Sequence, residues 1–133
     1  MLLTFPKNSD IIKLGLKFED LGLRGVTMII NDEIIRIKDA IVSAVDVEKL
    51  YLFGSYAYGT PNEDSDYDFY MVIPSGGIRP LDAMTEARMA LWGTRVKAVD
   101  VLAGTPETFE RRSQAAWTIE SEVAKGGVLL YEA

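Results

Sequence analysis

Residues 50–73, LYLFGSYAYGTPNEDSDYDFYMVI, constrain this chain more tightly than any other stretch. An apolar run over residues 50–53 stops at Gly54-Ser55, and a polar loop with Gly59, Pro61 and Asn62 follows. Asp64-Ser65-Asp66-Tyr67-Asp68 then leads straight into a second apolar run over residues 69–73. The pattern predicts a strand, a turn, a loop and a second strand that opens with carboxylates. Side chains two apart in a strand share a face and lie roughly 6.5–7 Å apart along it. Asp66 and Asp68 are therefore expected to point the same way, able to converge on one metal ion or to bridge a pair about 3.5–4 Å apart.

Gly54 lets a backbone approach something closely, and Ser55 adds a hydroxyl beside its own N–H. Such a turn suits phosphate oxygens, especially where a helix begins at Ser55. A phosphate-holding turn followed by two carboxylates on the next strand is what metal-assisted nucleotidyl transfer needs. Two other readings compete. Asp64, Asp66 and Asp68 also fit the start of a calcium loop, but that loop wants Gly at its sixth position and Glu at its twelfth, where this chain has Phe69 and Ser75. A solvated hairpin with turn-capping carboxylates is the ordinary meaning of a lone D-x-D. The apolar strand behind the pair and the Gly-Ser turn beside it favour the functional reading, with Asp64 left to turn chemistry.

Composition narrows the chemistry. With 133 residues, 48% hydrophobic and 26% charged, the chain reads as one soluble domain with a single core. No apolar run approaches the roughly 20 residues of a membrane helix, and the opening MLLTFPKNSD has too short an apolar region for a signal peptide. The expected location is the cytoplasm. The chain has no Cys and no His, so zinc and thiolate sites are disfavoured and the available ligands are carboxylates, suited to Mg²⁺ or Mn²⁺. A net charge of −6 argues against bulk nucleic-acid binding, which needs Lys and Arg on phosphates.

Along the chain, residues 1–30 read as an N-terminal appendage, with a helix carrying Ile11, Leu14, Phe18 and Leu21 that Gly15, Gly22 and Gly25 weaken. Asn31 is positioned to cap a helix over residues 32–45, whose Ile34, Ile37, Ile41 and Ala44 make a stripe for one sheet face. Residues 47–53 give the first strand. Pro80 opens a helix to residue 92, with Leu81, Met84 and Leu91 as core candidates. Residues 95–102 form a mainly apolar strand with one acid, Asp100. Burying that carboxylate alone would cost several kcal/mol, which a shared metal site would remove; exposure near a strand end would remove it equally well. Thr105-Pro106-Glu107 starts a helix expected to run to residue 124, with Phe109, Ala116, Trp117 and Val123 buried and Arg111 and Arg112 near its start, where Arg is usually solvated. Residues 128–131 make a last short strand.

Gly54-Ser55, ten residues, then Asp66-Tyr67-Asp68 resembles the signature of the nucleotidyltransferase superfamily that includes DNA polymerase beta. More closely it resembles the minimal nucleotidyltransferases of bacteria and archaea, often encoded beside HEPN-domain proteins. The resemblance covers residue 34 to the C-terminus and implies an α/β (α+β) fold, a small mixed sheet flanked by helices, with residues 31–133 as the catalytic domain. It implies that Gly54 and Ser55 bind the triphosphate and that Asp66 and Asp68 bind two Mg²⁺ ions. It also requires a third carboxylate on a later strand, for which Asp100 is the candidate. The expected reaction moves an NMP from an NTP, taken as ATP, to a hydroxyl. The small size leaves acceptor recognition to another chain, and the resemblance suggests a HEPN toxin for which this protein is the antitoxin. Those antitoxins commonly carry Arg where this chain has Tyr58. The rivals are an enzyme acting on a small molecule and a non-catalytic nucleotide-binding scaffold.

Overall fold

The computed structural model describes residues 31–94 and 97–133. The appendage and its helix lie outside the described residues. Helix α1 (Asp32–Ala44) starts where its cap predicts: the Asn31 side-chain oxygen accepts the Ile34 N–H at 2.8 Å. Ile34, Ile37 and Ile41 are buried along one face. Strand β1 (Lys49–Phe53) follows, then a four-residue helix α2 (Ser55–Tyr58), then β2 (Tyr67–Val72). Helix α3 (Pro80–Ala90) leads to β3 (Val99–Gly104), and α4 (Pro106–Ser113) and α5 (Ile119–Gly126) lead to β4 (Val128–Glu132).

The strands form one mixed sheet in the order β3-β2-β1-β4. β1 pairs antiparallel with both β2 and β4, and β2 pairs parallel with β3. A parallel pair needs a crossover, and α3 supplies it. Both faces of the sheet are covered, which is why the central strands are apolar at successive positions rather than at alternate ones. Leu50, Leu52, Phe69 and Met71 pack with Ile34, Ile37 and Ile41 of α1 and with Ala83 and Ala87 of α3. Tyr51, Phe53, Tyr70 and Val72 turn the other way, toward Val123 of α5 and Phe109 of α4. Phe109 stacks on Tyr51 at 5.5 Å between ring centroids and tilts against Tyr70 at 5.4 Å. Among the described residues no helix is long and apolar enough to cross a membrane.

Four sequence expectations need correction. The helix foreseen from Thr105 to residue 124 is two helices, because Thr118 turns a corner. Its hydroxyl accepts the Ser121 N–H and shares its one proton between the carbonyls of Arg112 and Ala115, capping α5 while closing off α4. The corner puts Trp117 at φ 74 and exposes both it and Ala116, which were expected to be buried. In α3, Leu81 faces solvent and Ala83 and Ala87 are the fully buried residues, while Met84 packs against the core and Leu91 is buried as foreseen. Finally, the strand placed at residues 95–102 is Val99–Gly104, with Arg95 and Val96 outside the described residues.

A buried carboxylate joins α4, α5 and the sheet. The Tyr70 hydroxyl donates to Glu120 at 2.8 Å and the Arg112 guanidinium donates to its other oxygen at 2.9 Å. Burial alone would raise this carboxyl, but Arg112 and Tyr70 hold it below the usual carboxylate range. Arg112 is thus engaged in holding the fold together.

Candidate active site

The site is built where β1, β2 and β3 end together. Phe53 is the register partner of Asp68, and Gly54 follows it directly. Gly54 has φ 77, and an added Cβ would lie 2.2 Å from Asp68 Oδ2. Only a glycine lets the turn backbone come so close to that carboxylate. Ser55 then opens α2, whose Ala57 and Tyr58 N–H groups both donate to the Gly54 carbonyl. On its inner side α2 is anchored by Tyr56, which is buried and packs on Tyr67 at 4.4 Å between centroids.

On the other side of Asp68 stands Asp100: the two are register partners in the parallel β2–β3 pair. Two strand residues paired directly have neighbouring side chains on one face. Asp66 falls one residue before β2 begins, at the end of the loop. That loop is tied by Asn62, whose side chain accepts the Asp64 N–H and whose own N–H donates to Ser65 Oγ, each at 2.8 Å. Asp64 belongs to this turn, as its sequence position predicts. Gly54, Ser55, Asp66, Asp68 and Asp100 therefore gather at one end of the sheet.

Asp100 is exposed, so desolvation does not compel it toward a partner; strand register alone brings it to Asp68. Asp68 is half-buried, and its carboxyl is pushed up to about 6 by that burial and by the charges of Asp100, Asp66 and Glu122. Glu122 is the residue sequence reasoning missed. By strand alternation Asp68 lies on the same face as Tyr70, the face that α5 covers, and Glu122 enters from α5. It accepts a hydrogen bond from Tyr58 at 2.8 Å. One acid among several in a helix gives no sequence signal of that placement.

The donor set suits a hard divalent cation: carboxylates only, with like charges already crowding Asp68. Asp68 and Asp100 would form its nucleus, with Asp66 beside them. Among the described residues no three acids converge closely enough to hold an ion with their side chains as they stand.

The profile of the nucleotidyltransferase domain matches residues 34–130, most of the chain. The chain belongs to the nucleotidyltransferase domain family. It is accordingly a nucleotidyl-transferring enzyme, and the small mixed sheet flanked by helices that the resemblance implied is the fold observed. Among solved structures, one chain of a toxin–antitoxin with AMP-PNP is 22% identical with a TM-score of 0.56, over 77% of this chain and 75% of that one. A mutant form of the toxin–antitoxin MntA-HpeT is 20% identical with a TM-score of 0.55 over the same shares. A Sulfolobus solfataricus protein assigned to the nucleotidyltransferases is 22% identical with a TM-score of 0.50, over 73% of this chain and 75% of that one. No curated protein matches this nucleotidyltransferase.

Proposed function

We propose that this nucleotidyltransferase moves AMP from ATP to a hydroxyl of a partner protein, and that the partner is a HEPN-domain toxin for which it serves as antitoxin in the cytoplasm. The observation that carries the chemistry is the pairing of Asp68 with Asp100 across β2 and β3, with the Gly54 backbone against Asp68. The antitoxin role is supported by the likeness to chains of two toxin–antitoxin structures, one of them with AMP-PNP.

In this reading Gly54 and Ser55 hold triphosphate oxygens through backbone N–H groups and the Ser55 hydroxyl. Asp66, Asp68 and Asp100 would hold two Mg²⁺ ions, or Mn²⁺, which when bound neutralise phosphate charge and make the attacking hydroxyl more acidic. Asp100, exposed at the strand mouth, takes the proton of the acceptor hydroxyl, the chain having no His to do so. The acceptor oxygen forms its bond to the α-phosphorus as the bond to the bridging oxygen breaks, and pyrophosphate leaves. Positioning and charge complementarity supply most of the acceleration.

The test is transfer of label from α-labelled ATP to the neighbouring gene product, with wild type and Asp68→Asn compared. Label on the partner with wild type, reduced at least about a hundredfold by the substitution while the circular-dichroism spectrum is unchanged, is the expected result. Full activity in Asp68→Asn would sink the assignment. Label that appears only on a small molecule would move the acceptor to that class.

A further inference from the structure

The turn that carries Gly54 and Ser55 is short, and a four-residue helix cannot hold itself in place. Tyr56 anchors it from inside, against Tyr67. The outer side is held by Tyr58, which is partly exposed and reaches 64 residues along the chain to α5. Its hydroxyl donates to Glu122 Oε1 at 2.8 Å. Its ring lies over Gly126 so closely that a Cβ there would come within 2.5 Å of Tyr58 Cε1. Two independent contacts, one polar and one steric, therefore fasten the same side chain to the same helix.

We infer that Tyr58 is a positioning residue for nucleotide binding, latching the Gly54-Ser55 turn to α5 through Glu122 and Gly126. The inference rests on the reading of that turn as the triphosphate holder. Phosphate contacts at a turn depend on its backbone N–H groups pointing at fixed positions, so misplacement weakens them. Glu122 has two roles: it accepts from Tyr58 and lies near enough to Asp68 for its charge to be felt there.

The experiment measures KM and kcat for ATP in the presence of Mg²⁺, with direct ATP binding measured in parallel, for wild type, Tyr58→Phe, Glu122→Ala, the double variant and Gly126→Ala. Tyr58→Phe is expected to raise KM roughly three- to tenfold, the range set by losing one net hydrogen bond, with kcat changed less. Gly126→Ala, which displaces the ring, is expected to raise KM in the same direction. The double variant should be no worse than the poorer single one, since both remove the same contact. A purely structural role would lower thermal stability and leave the KM of the folded protein where it was. Wild-type KM in Tyr58→Phe, or full additivity in the double variant, overturns the latch while leaving the transfer reaction standing. Failure of wild type itself to bind ATP overturns the functional reading, and the latch falls with it.

Discussion

Asp68 carries a charge that the folded chain disfavours. Burial, Asp100, Asp66 and Glu122 raise its carboxyl from 3.8 to about 6, so between those values the native state binds a proton that the unfolded chain releases. With divalent ions chelated, this group's contribution to stability should therefore rise as pH falls from 7 through about 6 and be complete near 4. The urea midpoint of wild type should increase from pH 7 to pH 5, and Asp68→Asn should lose that increase; an unchanged slope in the variant would remove Asp68 as its source. Glu120 acts in the opposite sense: held below the usual range, it contributes stability above its unfolded pKa that is lost as pH falls further. Asp66 and Asp68 were legible as candidates because the acids sit at the mouth of an apolar run. Asp100 was legible only as a lone acid in a strand; its place beside Asp68 depends on how the α3 crossover sets the parallel register, which no local pattern encodes.

Among the elements, α1 could be read closely, since Asn31 caps it and its isoleucines repeat at helical spacing, although Ala44, expected on the same stripe, is exposed. The corner between α4 and α5 could not. Residues 106–124 contain no Gly, and their Pro stands at the helix start, so nothing in the composition breaks the helix. The break comes from one hydroxyl that accepts the Ser121 N–H and shares its proton between two carbonyls of the preceding turn. Thr118→Ala should accordingly cost about 0.5–2 kcal/mol, the range for losing an N-cap, read as a lower urea midpoint with an unchanged m-value. Thr118→Ser, which keeps the hydroxyl, should recover most of it. In α3 two of the three expected core residues hold, Leu91 buried and Met84 packed against the cluster, while Leu81 is turned outward and Ala83 and Ala87 take the fully buried positions.

At the scale of the molecule, the sheet divides its labour by face. One face is closed by α1 and α3 over a large apolar cluster; the other, under α4 and α5, carries the smaller aromatic cluster and, at its end, Asp68. The candidate site thus lies at one end of the sheet, with Tyr58 of its turn hydrogen-bonded to Glu122 of α5. A ligand that binds only the folded state raises its stability by mass action. ATP with Mg²⁺ should raise Tm, and the rise should vanish on adding EDTA and in both Asp66→Asn and Asp68→Asn. A rise that survives chelation and both substitutions would separate nucleotide binding from these carboxylates.

The chain has two tryptophans, Trp92 and Trp117, and both indoles stand in solvent, 89% and 101% exposed. Their emission therefore already has the red-shifted character of a water-bathed indole in the native state, and unfolding has little left to change in it. Intrinsic fluorescence is a poor gauge of this fold and a good gauge of what touches its surface: a blue shift on mixing with another protein would report an indole being covered, against an almost silent background.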